Sequence, residues 1–424
     1  MCPPRVTMAD ARTMLDWKLA WVPTSSLLAA VCSGCLLDIP GVEAGEGGGG
    51  QTQTGGADAG GGGGGAIVEV GDHAGILCAG DAFTCAAVNG GVACWGDDTS
   101  GQLGDSDGGF RSSPLSVGMP PEIDDDPVTS VACGAAHACA RLESGRIVCW
   151  GASSSLQAGG CEVSAIGAPR VVTTCPEGAP VVSARLAAGG DSTCVIDAGG
   201  DVACWGAAPG DAGKAPHPPE ALELGGAIAI AVASDHGCAS TPDGVACWGS
   251  NAAAQLGGGE TSATSHLVPG IEAQEITVAA GYSCALDGEG LLRCWGDAEP
   301  FAPGGAPASE PFDIAGATLS EIGSTGAHAC GITAAQRAAC WGSDASGQLG
   351  DGPEDGSGAG MRAVALDERL VAIAVGGAHA CALFVDAAEA DARAVYCWGA
   401  NDRGQLGIEG PSTDAPASPV MEPQ

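Results

Sequence analysis

Cysteine carries the chemistry that the spacing of this chain makes possible. The string Cys-Trp-Gly occurs seven times, with its tryptophan at Trp95, Trp150, Trp205, Trp248, Trp295, Trp341 and Trp398, at intervals of 55, 55, 43, 47, 46 and 57 residues. A second cysteine precedes each copy, giving the pairs Cys85/Cys94, Cys139/Cys149, Cys194/Cys204, Cys238/Cys247, Cys284/Cys294, Cys330/Cys340 and Cys381/Cys397. Pairing Cys85 with Cys94 puts Asn89-Gly90 at the centre of a two-residue hairpin turn. Opposed residues of such a hairpin hold their Cβ atoms about 4.5–5.5 Å apart, close to the roughly 4 Å that a disulfide needs. One cross-strand disulfide per unit is therefore expected. Four of the eighteen cysteines beyond Cys35 remain. Cys161 and Cys175 bracket a loop insertion and are expected to bridge to each other; Cys78 and Cys133 precede the hairpin cysteines of neighbouring units and are placed to join them. Zinc is the rival use of paired cysteines, but it needs two pairs converging on one point, and separate units hold the pairs apart.

Other reactive residue types point to structure. His137, His236, His328 and His379 each sit two residues before a hairpin cysteine, where the other units have Phe83, Ser192 and Tyr282. A position shared across repeats predicts imidazoles hydrogen-bonded inside each unit. Gly104-Asp105-Ser106-Asp107-Gly108 matches a nucleophile-elbow string but lies in a polar loop with no apolar strand before it. The run Asp124-Asp125-Asp126 lacks the alternating ligands of a calcium loop. No catalytic set, cofactor or metal is expected.

The elements that must position the cysteines follow from the same repeat. An apolar strand such as Val278-Ala279-Ala280 precedes each hairpin; Gly-Gln-Leu-Gly follows several, at Gly101, Gly347 and Gly404, with Ala254-Gln255-Leu256-Gly257 and Leu156-Gln157-Ala158-Gly159 as variants. Another short strand such as Leu115-Ser116-Val117 comes after. Four strands per unit and seven units predict an all-β, seven-bladed β-propeller over 66–424, since ring closure removes exposed sheet edges. The terminal segment 416–421 is expected to complete the first blade, so that both chain ends share it. Gly-Ala-His-Ala-Cys, Cys-Trp-Gly and Gly-Gln-Leu-Gly together resemble the regulator of chromosome condensation repeat, whose members form seven-bladed propellers. The chromatin binding and nucleotide exchange of that family's eukaryotic founder need a cytosolic or nuclear address, and they enter here by fold analogy alone.

The remaining sequence speaks for export. Arg5, Arg12 and Lys18 precede a short apolar stretch ending in Cys32-Ser33-Gly34-Cys35, too short to span a bilayer. This resembles the bacterial lipoprotein cleavage box, which implies lipidation of Cys35 and a leader over 1–35, although Cys32 stands where the box has Leu or Val. Residues 36–65 are Gly-rich and read as a flexible tether. With 51 acidic against 15 basic residues the net charge is −36, which repels nucleic acid and anionic lipid. The expected function is a non-enzymatic, monomeric binding scaffold in the cell envelope or secreted. It would touch the membrane only through its lipid and recognise a protein or glycan by three unit-specific loops: 122–126, the insertion 159–174 and the lengthened hairpin 386–394. A secreted propeller hydrolase or lyase is the alternative.

Overall fold

The computed structural model describes residues 75–421, apart from 106, 124, 162–165, 176–177, 208–214, 259–261, 269, 298–305, 315–317, 326–327, 353–359, 386–392 and 417–418. The leader, the tether and Cys35 lie outside the described residues. The first blade shows how each unit is built. Strands β1 (Leu77–Ala79), β2 (Phe83–Val88), β3 (Gly91–Asp97) and β4 (Phe110–Ser116) pair in chain order, all antiparallel. Asn89 and Gly90 take φ of 49° and 73° at the β2–β3 turn, as a type I′ hairpin requires. That turn sets the register in which Cys85 faces Cys94.

Six further four-stranded sheets repeat this order, over 128–171, 185–222, 229–268, 275–313, 319–363 and 370–421, giving seven blades. The apolar first strand of each is innermost, and the hairpin strands carry the buried core. The glycine of Cys-Trp-Gly has a specific task. At Gly96, Gly151, Gly206, Gly249, Gly296, Gly342 and Gly399 φ lies between 95° and 108°. In most blades the third strand slips register against the fourth there. A Cβ on Gly96 would fall 2.5 Å from the carbonyl oxygen of Ala82, so no other residue fits this bulge. The bulge turns the tryptophan inward: Trp95, Trp150, Trp205, Trp295, Trp341 and Trp398 are buried completely or nearly so.

Ring closure differs from the sequence expectation. The last strand, β28 (Pro419–Met421), pairs with β27 (Arg393–Gly399) of blade 7, with Val395 opposite Met421. Blade 1 is complete without it, because Leu77–Ala79 already supplies its inner strand and Phe110–Ser116 its outer one. The ends of the ring therefore meet as two whole blades. Gly377 N donates to Gly80 O at 3.1 Å across this junction, and side-chain bonds described below complete it.

Candidate functional site

The motif residues build the seams between blades. Five tryptophans donate Nε1–H to the backbone carbonyl of the glutamine in the preceding blade's Gln-Leu-Gly turn or its Gln-Ala-Gly variant: Trp95 to Gln405 (3.0 Å), Trp150 to Gln102 (2.9 Å), Trp205 to Gln157 (3.1 Å), Trp295 to Gln255 (2.8 Å) and Trp398 to Gln348 (3.0 Å). The turn is held ready from within. Gln102 Oε1 accepts from Ser100 N, and Asp98 Oδ1 accepts from Leu103 N. Its first residue needs a left-handed backbone: Gly101, Gly347 and Gly404 have φ of 74–76°, while Leu156 and Ala254 take 63° and 64° without being glycine.

The histidines also belong to these seams, which corrects the expectation of bonds inside each blade. His137 Nε2 meets Thr193 Oγ1 (2.8 Å), His236 Nε2 meets Ser283 Oγ (2.7 Å) and His379 Nε2 meets Thr84 Oγ1 (2.9 Å), always in the following blade. Each hydroxyl in turn donates to the same glutamine carbonyl, from Thr84 to Gln405 O, Thr193 to Gln157 O and Ser283 to Gln255 O. The hydroxyl hydrogen is thereby used at Thr193 and Thr84, so the neutral imidazoles of His137 and His379 donate from Nε2, whereas His236 has Nδ1 directed at the Asp235 carboxylate. Burial pushes His137 and His379 down to about 3 and His328 to about 4, which keeps them neutral. Nothing in the motifs above points to Thr84, Thr193 and Ser283, yet the signal is present. Where a unit has His, the next unit carries Thr or Ser just before its hairpin cysteine; where it has Phe83, Ser192 or Tyr282, the next carries Ala138, Gly237 or Ala329. His328 breaks the rule, facing a blade with Ala380 there; its ring nitrogens find no side-chain partner among the described residues, and the His379 backbone beside it only partly offsets the effect of burial.

One seam assembles the geometry of a hydrolytic triad. Asp235 Oδ1 lies 2.9 Å from His236 Nδ1, and Ser283 Oγ follows at Nε2. Burial works against the Asp235 carboxylate, but His236, Gln255 and the Gly281 amide hold it below its ordinary value. Ser283 and His236 are fully buried, with Gln255 O 2.8 Å from Ser283 Oγ, so the set joins blades 4 and 5 and reaches solvent only at the part-exposed Asp235 carboxylate. The elbow-like string is likewise structural: Asp105 pairs with Arg111 at 3.0 Å, and Ser106 lies outside the described residues.

At the hairpin end of the ring the inner strands surround a cavity of about 1120 Å³, lined among others by Ser130, Arg185, Glu275, Asp287 and Glu289. Arg185, Glu275 and Glu321 occupy one equivalent position, two residues before the one opposite the hairpin cysteine. Glu275 Oε1 accepts from Ile322 N and Glu321 Oε1 from Ile373 N, each in the next blade. Burial raises Glu275 to about 7, and burial with the neighbouring charge of Glu275 raises Glu321 to about 8. Ring-level equivalence of inner-strand positions is the signal that points to these three.

The described parts of two of the three variable loops can be placed on the ring. Segment 122–126 joins blades 1 and 2 at the hairpin end, where Asp126 accepts from Ser144 N and pairs with Arg146 at 2.8 Å. The turn at Gly159 lies at the opposite end, beside Asp191, to which Gln157 donates. Of 386–394, all but Arg393 and Ala394 lies outside the described residues. The cysteines are bonded as Cys85–Cys94, Cys139–Cys149, Cys194–Cys204, Cys238–Cys247, Cys284–Cys294, Cys330–Cys340 and Cys381–Cys397 within blades, Cys161–Cys175 around the insertion, and Cys78–Cys133 between blades 1 and 2. Among the described residues the sulfurs of Cys78, Cys85 and Cys133 are the one group close enough to share a metal ion, and all three are in disulfides.

Comparison with known proteins agrees with this architecture. Family models of the regulator of chromosome condensation (RCC1) repeat match residues 89–141 and 128–157. The mitochondrial RCC1 domain-containing protein RUG3 of Arabidopsis thaliana is 28% identical over 135 residues, which is 31% of this chain and only 28% of that relative's length. Prp20p of Saccharomyces cerevisiae, described with its binding to Gsp1p and histones, superimposes with a TM-score of 0.67 at 17% identity, over 84% of this chain and 90% of that one. Human WBSCR16 does so at 0.63 and 19%, over 71% and 83%. At such identities the two structures speak for the fold. Residues 89–157 thus match the regulator of chromosome condensation repeat, and the chain folds as a seven-bladed β-propeller similar to those of such proteins.

Proposed function

We propose that the protein is a non-enzymatic binding scaffold that works outside the cytosol, held to a bacterial envelope through a lipid on Cys35 and recognising a protein or glycan at the hairpin end of the ring. The observation that carries this reading is the set of nine disulfides, which takes up every cysteine from Cys78 to Cys397. Such a density suits an oxidising compartment. It also suits rigidity, because each short loop closed by a bridge contributes roughly 2–3 kcal/mol in the chain-entropy account. A rigid ring carrying variable loops is a common platform for recognition. The relatives' protein partners support binding as the class of activity, and the negative charge turns this chain away from the nucleic acid side of that family. The complete burial of His236 and Ser283, the base and nucleophile positions of that triad-like set, favours a structural role over hydrolysis.

The test is proximity labelling by the full chain in its native envelope, beside variants altered at Asp287 and Glu289. One recurrent labelled partner, reduced in the variants, is expected. Labelling no different from an unrelated exported propeller contradicts recognition at this end of the ring, and recovery of the chain in the cytosol with reduced thiols contradicts the compartment.

A further inference from the structure

Blade 1 differs from every other blade in its sulfur chemistry. Cys85 stands directly opposite Cys94 on one side and directly opposite Cys78 on the other. Directly opposed residues point to the same face of a sheet, so three cysteines lie in a row across β1, β2 and β3. The fourth, Cys133, reaches them from the inner strand of blade 2. The sulfurs of Cys78, Cys85 and Cys133 all lie within 4.8 Å of one another, while the bonds are Cys78–Cys133 and Cys85–Cys94. In the other blades the residue in the place of Cys78 is Ala132, Ala187, Ala231, Thr277, Gly323 or Ala374.

We propose that this cluster is a thiol–disulfide exchange site, at which a low-molecular-weight thiol releases the bridge between blades 1 and 2 by moving it into blade 1. The thiol, as thiolate, attacks Cys133 Sγ; a mixed disulfide forms on Cys133, the Cys78–Cys133 bond breaks, and Cys78 leaves as a thiolate. Cys78 then attacks Cys85 Sγ. The Cys78–Cys85 bond forms, the Cys85–Cys94 bond breaks, and Cys94 leaves as the thiolate that takes up the proton lost by the incoming thiol. The number of disulfides rises by the mixed one and falls by the one opened, so no separate oxidant is consumed. Proximity makes the second step fast, because attacker and target are already within a few ångströms. The outcome is a ring whose blade 1–2 seam is no longer covalently closed while blade 1 keeps a bridge across its strands. Exchange between named sulfurs does not depend on what the ring binds.

Cys133→Ser tests the second step without any added thiol. Folded, non-reduced variant is acid-quenched, alkylated in denaturant and mapped by mass spectrometry. Alkylation is expected on Cys94, together with a Cys78–Cys85 linked peptide; alkylation confined to Cys78 overturns the proposal. Brief treatment of the wild type with glutathione covers the case in which the variant does not fold. The expected product carries glutathione on Cys133 and a Cys78–Cys85 link, whereas glutathione on Cys133 with Cys78 free and Cys85–Cys94 intact, or no change, overturns it. Cys149→Ser is the control: Cys139 faces Ala132 across β5 (Val128–Cys133) and β6 (His137–Leu142), and its free thiol should stay where it is.

Discussion

Replacing Ala380 by serine should stabilise the ring. In three seams a hydroxyl sits between a histidine Nε2 and the carbonyl of a Gln-Leu-Gly glutamine, both in the preceding blade. The seam between blades 6 and 7 has His328, Gln348 and Trp398 in the same roles, with Trp398 Nε1 already 3.0 Å from Gln348 O. Only the hydroxyl is missing, and Ala380 is fully buried where it would stand. A serine there accepts from His328 and donates to Gln348 O. Two net hydrogen bonds at about 0.5–1.5 kcal/mol each, less a fraction for crowding one extra oxygen into a closed seam, leave about 1–2 kcal/mol. At roughly 2–4 °C per kcal/mol for a large domain, the melting temperature should rise by about 2–8 °C. Calorimetry on the wild type, Ala380→Ser, His328→Ala and the double variant reads the coupling directly. If Ala380→Ser is neutral or destabilising, or gains as much when His328 is absent, the reasoning about these seams is refuted.

The reverse change at the seam that closes the ring, Thr84→Val, should cost about 1–3 kcal/mol by leaving the buried His379 Nε2 unpaired, and calorimetry that finds no loss would count against the closure described here. Ala254→Gly should gain up to about 1 kcal/mol, because Ala254 holds a left-handed backbone that glycine adopts freely; chemical denaturation measures it. Stability should peak near pH 6. Neutral buried His137, His328 and His379 lose stability as pH falls from about 6.5 toward 3, where the unfolded chain binds protons that the native one does not. Glu275 and Glu321, raised to about 7 and 8, lose it as pH rises from about 4.5 through 8, where the native chain holds the extra protons, and Glu321→Gln should flatten that alkaline limb of the melting profile. Deleting 419–424 should bare the edge of β27 and remove Val420 from the core that blades 1 and 7 share, promoting association in size-exclusion chromatography.

The blade count was legible because Cys-Trp-Gly and the cysteine before it mark the same hairpin in every unit, and a bulge at its glycine admits no other residue. The order of strands around the ring was less so. The segment before Met421 resembles both an opening and a closing strand, and only its pairing with Val395 and Tyr396 decides between them. The histidines mislead for a related reason. Their spacing from the cysteine is local, whereas the partner lies in the next blade, and the evidence for it is an alternation between neighbouring units and not within one. Arg185, Glu275 and Glu321 are scattered along the chain and meet at one level only once the inner strands are in register. The loops 122–126 and 159–174 stand out in sequence for the same property, departure from the repeat, and that property says nothing about which end of a blade they occupy.

A disulfide-built ring requires all eighteen cysteines from Cys78 to Cys397 to be oxidised where the protein works. The direct measurement is a thiol count on protein isolated from its native envelope under alkylating conditions and then denatured without reductant, read by intact mass and peptide mapping. No alkylation at any cysteine from Cys78 to Cys397 is predicted, with a lipid on the N-terminal Cys35 peptide. More than two alkylated thiols among those cysteines would contradict the disulfide-built scaffold, and an unmodified Cys35 in a soluble, cleaved chain would contradict its anchoring.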